Sequence, residues 1–319
     1  MIRTLAAAAA AVSLAAFGAA PALAAWPEKP IKVVVPFGPG GTTDVLARNL
    51  QRVIQEQNLS PQPVTILNVG GHFSVGSTQV KNTAPDGHNF LVIHLALLTG
   101  EIVDPARKLS YRDFDPVALT GGFCLHPVVM DNSPFKTLKD MMEEAKAKPS
   151  TLIFGVNIGA LNHMAGVFME KTYPGAKFRF VQIGGGAENF AALKGGQTQV
   201  GVLSSSEYQN FKGAGVRALG YTGPQRLELE PNIATMREQG LDFDFCINNY
   251  WFAPKGTAKE AIDGMANLLE KAMALPAMRE IMKKQASSSD FLKGPAFAKS
   301  LDDTFAAVRP VAEAARPQK

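Results

Sequence analysis

Apolar positions along the chain alternate between short β-branched runs and helical stripes, with Gly-rich loops between them. Ile31-Lys-Val-Val-Val35 favours a buried strand and stops at Pro36-Phe-Gly-Pro-Gly-Gly41. Thr42 then stands as an N-cap whose hydroxyl can meet the first amides of a helix carrying Val45, Leu46, Leu50, Val53 and Ile54 on one face. The pattern repeats with a strand at Val64–Leu67, a loop over 68–76, and Ser77 or Thr78 as the next cap. Pro85-Asp-Gly87 predicts a turn before a third strand, Asn89 to His94.

Further on, Phe123 to Met130 reads as a strand and Thr137-x-x-Asp140 as a capped helix start. Strand, loop and helix then recur at Leu152–Val156 with Asn157–Asn162, at Phe178–Val181 with Gly184–Gly186, and at Val200–Leu203 with Ser204–Ser206. Val216 to Tyr221 and Phe243 to Phe252 read as extended, and Thr257-x-x-Glu260 as a capping box opening a helix that Pro276 interrupts. An amphipathic tail, Phe297 to Ala315, is expected to pack back on the first domain. Strands alternating with helices in units of about 30 residues predict an α/β fold with parallel sheets and ligand loops at the carboxyl ends of the strands. Where strand passes to helix at 36–44, free amides and the positive end of the helix dipole favour an anion.

Arg3, the apolar run from Leu5 to Ala20 and Ala22-Leu-Ala24 form a secretory signal pattern, with a mature start near Ala25 and export to the periplasm as a soluble protein, without membrane insertion. The net charge of +4 comes without a long Lys/Arg run, so nucleic acid is not an expected partner. Cys124 and Cys246 are the only cysteines; in an oxidising compartment they pair or remain as two buried thiols. The histidines lack metal-ligand spacing, so no metal or other cofactor is expected. A Gly-x-Ser-x-Gly elbow, an activated Cys-His pair and paired carboxylates beside a loop are not evident, and Gly38-Pro-Gly-Gly-Thr-Thr43 lacks the third glycine of a dinucleotide loop. The chain therefore does not read as an enzyme.

Trp26-Pro-x-Lys-Pro-Ile31, Val35-Pro-Phe-x-Pro-Gly-Gly-x-x-Asp44, Asp113-Phe-Asp-Pro-Val117, Gly213-x-Gly-Val-Arg-Ala-Leu219 and Trp251-Phe-x-Ala-Pro-x-Gly-Thr257 resemble the solute receptors of tripartite tricarboxylate transporters, the Bug family of periplasmic binding proteins. The likeness runs along nearly the whole mature chain. It implies a two-lobed, Venus-flytrap protein with two β-strand hinge crossovers. Domain one would comprise residues 25–123 and 247–319, and domain two residues 124–246, after a signal peptide at 1–24. Its function would be to capture an organic carboxylate between the lobes and deliver it to integral membrane subunits of the transporter. An exported ligand sensor docking on a signalling partner would use the same cleft. The crossovers would place Cys124 and Cys246 on the hinge strands, where a disulfide would staple them.

The resemblance implies that backbone amides of the first two loops hold a ligand carboxylate. That selects Phe37, Gly40, Gly41, Thr42, Thr43 and Asp44 in the first loop, and Gly71, His72, Phe73 and Ser74 in the second. The sequence departs from the family pattern at Gly71-His-Phe73, at His94-Leu-Ala-Leu-Leu98, at Gly155-Val-Asn-Ile-Gly-Ala160 and at Ile183. His94, Asn157, Ala160, His163, Ile183, Gly184 and Ser204 complete the expected site. Phe73, Ile183 and Leu97 predict a more apolar cleft, suited to an acid with an aromatic or extended apolar body, and His72 is expected to donate to an anionic group.

Overall fold

The computed structural model describes residues 26–316, so the expected export signal lies outside the described residues. Strands β1 (Ile31–Val35), β2 (Val64–Asn68) and β3 (Asn89–Ile93) are parallel with β1 central, as the βα repeats require. Val33, Val34 and Val35 are buried, which is why this run carries no polar alternation. Helix α1 (Thr42–Glu56) buries Leu46, Leu50, Val53 and Ile54 against the sheet. Helices α2 (Ser74–Lys81) and α3 (Ala96–Val103) follow β2 and β3.

The expectation of parallel sheets holds only for part of the molecule. Strand β4 (Phe114–Met130) spans 17 residues, starting well before the predicted Phe123. It runs antiparallel to β9 (Cys246–Pro254), which runs antiparallel to β3. Pro116 and the Gly121-Gly122 pair hid the upstream half from a periodicity reading. Register shifts fall at Pro116/Ala118 and Thr120/Gly122, where the strand bends.

Past Phe123 the same strand enters a second lobe. There Leu125–Val128 pair with β7 (Gly201–Ser204), and Val128–Met130 pair with β8 (Val216–Ala218). Parallel strands β5 (Ile153–Val156) and β6 (Arg179–Gln182) join this lobe through a bridge from Phe154 to Val200. Helices α4 (Leu138–Ala147), α5 (Leu161–Thr172), α6 (Gly186–Lys194) and α7 (Ser205–Phe211) complete it. Because β4 leaves lobe one and β9 returns to it side by side, two antiparallel strands form the hinge. Cys124 faces Cys246 across that pair, and the two are joined by a disulfide closing 122 residues of sequence.

The chain ends with α8 (Lys259–Ala274), α9 (Pro276–Lys284), the edge strand β10 (Phe291–Lys293) and α10 (Gly294–Ala314). Helix α10 packs on α3 and β4 of lobe one, as expected of the tail, and also touches α5 of lobe two.

Three predicted caps differ. Gly41, not Thr42, is the N-cap of α1. Helix α2 begins at Ser74, three residues before the predicted cap, and the Ser77 hydroxyl bonds back to the Phe73 carbonyl at 3.0 Å. Thr257 donates to the Pro254 carbonyl at 2.7 Å, and α8 starts after Ala258 without a side-chain cap. The Thr137–Asp140 capping box forms as read, and Pro276 opens α9 at its first turn, where its missing N–H costs nothing. Among the described residues no helix is long and apolar enough to cross a membrane.

Candidate functional site

Three strand ends of lobe one face three of lobe two. The loop after β1 reaches its helix through Gly40, whose φ of +84° lies in the left-handed region where a side chain is strained. The turn is held by Asp44, whose carboxylate accepts from Gly40 N at 2.8 Å. Arg48 and Asn68 both donate to the other oxygen of Asp44, at 2.9 Å each, so this acid is consumed in shaping the loop.

The first amide of α1 is capped from the opposite lobe. Thr42 N donates to Oε1 of Glu207 at 3.0 Å, while Ser204 N donates to Oε2 of the same carboxylate at 2.8 Å. The Thr42 and Ser204 hydroxyls share a short hydrogen bond, and Ser206 donates to the Thr42 hydroxyl at 3.3 Å. Glu207 is 5% exposed, and burial is the leading influence on its carboxyl pKa, raising it above the ordinary value against four hydrogen bonds that lower it.

A second carboxylate from lobe two meets the other loop. Glu188 accepts from Gly185 N at 2.5 Å and from Gly71 N of lobe one at 3.4 Å. Asn157 donates from Nδ2 to the Gly71 carbonyl at 2.9 Å. That carbonyl can only accept, which fixes the amide orientation and leaves Asn157 Oδ1 as a buried acceptor without a partner.

These groups border a cavity between the lobes that offers about 30 Å³ to the centre of a water-sized sphere. That is too little for an organic acid, so the lobes are closed on one another and a solute of that size requires them to part. Of the residues expected at the site, Phe37, Gly41, Thr42, Thr43, His94, Asn157, Ala160 and Ser204 line the cavity. Gly40 and Asp44 stand behind it as the scaffold of the first loop. Gly71 touches Glu188 and Asn157 without lining the cavity.

His72, Phe73 and Ser74 do not line it in this closed form. His72 accepts from Ser74 N on Nδ1, which puts its proton on Nε2, where it donates to the Ile158 carbonyl of lobe two at 3.1 Å. Burial first, then the charge of Arg107, lowers its pKa below the usual histidine value. Phe73 is buried against Gly100 and Gly159, and Leu97 is fully buried in the core. Ile183 packs beside Gly155, and Gly184 accepts from Asn162 and Asn189. His163 accepts from Gly159 N at 3.2 Å, stacks edge-on to Phe180, and is pushed down to about 4 by burial. The apolar lining comes instead from Phe37, Phe123, Leu161 and Val202.

His94 is the one histidine on the cavity. Its Nδ1 accepts from Ala96 N at 3.2 Å, so its proton sits on Nε2, and Phe37 stacks on it at 4.5 Å. Burial pushes its pKa to about 3, so it is a neutral donor at ordinary pH. Among the described residues no group of three or more His, Cys, Asp or Glu could hold a metal.

Sequence reading missed Glu188 and Glu207, and the structure brings these two carboxylates to one cavity where none were expected as a pair. A signal existed. Each is the third helical residue after a strand-end loop, Gly185-x-x-Glu188 and Ser204-x-x-Glu207, and each accepts from its own N-cap amide, Ser204 and Glu207 closing a full capping box. Only tertiary closure turns the far side of each carboxylate toward the other lobe.

The model of the tripartite tricarboxylate transporter family receptor matches residues 14–314. The UPF0065 protein in the tcbD-tcbE intergenic region of Pseudomonas sp. (strain P51) is 30% identical over 267 residues, 82% of this chain and 79% of its own. The solved periplasmic binding protein BugD is 25% identical with a TM-score of 0.83, covering 91% of this chain and 98% of its own. R. palustris Rpa4515, solved with adipate, has the same TM-score and coverage at 21% identity, a likeness of fold alone. The architecture is thus that of a two-lobed periplasmic binding protein, and the matching proteins are solute-binding receptors, not enzymes.

Proposed function

The chain belongs to the tripartite tricarboxylate transporter receptor family, and from that premise we propose that it is a periplasmic receptor that closes on an organic carboxylate and delivers it to the integral membrane subunits of a tripartite transporter. The observation that carries this reading is the carboxylate already seated on the N-terminus of α1: Glu207 Oε1 accepts from Thr42 N at 3.0 Å. The first amides of a helix and its dipole favour an anion. A ligand carboxylate entering the opened cleft takes the place of Glu207 there, with the neutral His94 Nε2–H as a further donor.

Lobe one is then residues 25–123 and 247–319, and lobe two residues 124–246, swinging about β4 and β9. Phe37, Phe123, Leu161 and Val202 support an acid with an apolar body, since these side chains line the cavity beside the polar groups. Adipate, the ligand in the Rpa4515 structure, has such a chain between its carboxylates.

A thermal-shift screen of mono- and dicarboxylic acids, aromatic and aliphatic, tests the proposal. A ligand bound only by the folded protein raises the midpoint by mass action, and at least one acid is expected to do so, with deletion of the protein abolishing its uptake by cells. Failure of every acid to shift the midpoint, while uncharged solutes of similar size succeed, would overturn the carboxylate reading.

A further inference from the structure

The disulfide sits at a fork in the hinge. Strands β4 and β9 pair from Phe114 and Pro254 to Cys124 and Cys246, and the cysteines are the last rung. Past it β4 turns to pair with β7, and Thr222, which is buried, comes between β4 and the chain leading into β9. Leu125 N donates to the Thr222 hydroxyl at 2.8 Å, and that hydroxyl donates to the Phe245 carbonyl at 2.7 Å. The Sγ–Sγ bond is therefore the covalent tie at the point where the hinge strands part into lobe two.

The two cysteines are not equally sheltered. Cys124 is 9% exposed, whereas Cys246, the first residue of β9, is exposed. Both line a groove of about 490 Å³ beside the hinge, with Glu228 and Leu229 of lobe two on one wall and Lys283 and Asp290 of lobe one on the other. That volume admits a small organic molecule. Charges of both signs line it, so it suits a neutral reagent better than a strongly anionic or cationic one. Thiol–disulfide exchange depends on which sulfur can be reached, and here the reachable one is on Cys246.

We propose that Cys246 is a thiol-exchange site, at which a small dithiol entering this groove opens the disulfide and loosens the hinge. One thiolate of the dithiol attacks Cys246 Sγ, forming a mixed disulfide there, while the Sγ–Sγ bond breaks and its electron pair leaves on Cys124, which takes a proton from solvent. The second thiolate of the same dithiol then attacks its own sulfur in the mixed disulfide. A cyclic disulfide departs, and Cys246 is released and protonated. Two electrons and two protons pass from the dithiol to the protein. The fork is then held by the hydrogen bonds of Thr222 without the covalent tie, and the lobes part more readily. In an oxidising compartment the stapled form is the resting one.

The test treats the oxidised, purified protein with dithiothreitol in native buffer and counts free thiols. Two are expected, at a rate that rises in proportion to the dithiol concentration. Reduction only in denaturant, or at a rate independent of dithiol, would mean that the bond is reached by unfolding and would overturn the proposal. Iodoacetamide labelling of the reduced protein, read by peptide mass, is expected to modify Cys246 at least tenfold faster than Cys124; equal rates would overturn the assignment to Cys246. Solution scattering is expected to give the reduced protein a larger radius of gyration with its circular dichroism unchanged. An unchanged radius, or loss of the folded spectrum on reduction, would overturn the hinge role.

Discussion

The two walls of the cleft are built on opposite chemistry. Lobe one presents mostly main chain: glycines at 38 and 41, the α1 amides and a neutral histidine, with Gly40 and Asp44 behind them bracing the loop. Lobe two presents side chains: Glu188, Glu207, Asn157 and Ser204. A wall of amides accepts any carboxylate and says little about the rest of the solute. Carboxylates and an amide oxygen discriminate, because a mismatched partner leaves a buried group unpaired or repelled. On the proposed function, general affinity for an acid and selection among acids are divided between the lobes, and closure joins them.

Separating the walls is the strongest way to break this arrangement. The Cys124–Cys246 disulfide joins the two hinge strands and closes 122 residues. Replacing both cysteines by alanine should cost stability by up to about 5 kcal/mol, on the view that a cross-link restricts the unfolded chain. Denaturant unfolding of the double variant against the oxidised parent measures it, and an unchanged midpoint would remove the disulfide from the account.

Acid should weaken both lobes together. His94 on lobe one is held at about 3 and His126 and His163 on lobe two at about 4, each chiefly by burial. An unfolded histidine titrates near about 6.5, so below that pH the unfolded chain binds protons that the folded chain refuses, and stability falls as pH falls. Each contributes up to about 1.4 kcal/mol per pH unit between its two values. Denaturant curves should thus lose about 4 kcal/mol at most from these three between pH 6 and 5. Glu207 acts with the opposite sign: its pKa is raised on folding, so its contribution is present in acid and lost as pH rises through the folded value. Its replacement by Gln should therefore steepen the acid loss, and an unchanged slope would count against a buried titrating carboxylate.

A narrower change tests the closure contact itself. A Cβ on Gly186 would stand 2.0 Å from Glu207 Oε2, and Glu207 is buried with little room to retreat. Gly186→Ala should cost about 1–3 kcal/mol as an overpacking change, and it should move the protein toward an open form, visible as a larger radius of gyration in solution scattering. The smallest effect concerns one hydroxyl. Thr42→Val removes the bonds to Ser204 and Ser206 but keeps the amide that Glu207 caps, so a loss of about 1 kcal/mol is expected by thermal unfolding. A much larger loss would mean that the hydroxyl cluster, not the amide, holds the lobes.

Lobe one was the more legible of the two. Valines at 33–35 followed by Gly and Pro can hardly be anything but a buried strand running into a loop, and the α1 stripe names its own buried face. Lobe two was legible in its elements but not in its working groups. His72 and Phe73 read as cleft residues because they are unusual in a Gly-rich loop, yet packing against Ile158, Gly100 and Gly159 draws them into the contact between lobes. Glu188 and Glu207 stand at the spacing of ordinary capping residues, and nothing local marks them as cleft groups.

Local order was determined by the sequence alone: βα units, Gly-rich strand ends, an anion-ready helix start and two cysteines able to pair. These depend on short-range sterics and periodicity, which a linear string carries in full. Tertiary structure decided which strand ends face one another, that Cys124 and Cys246 lie in register on the hinge, and that the cap of α1 comes from Glu207, 165 residues away. Contacts at such separations depend on the hinge path of β4 and β9, which no local pattern encodes, and they set the charge that a solute meets in the cleft.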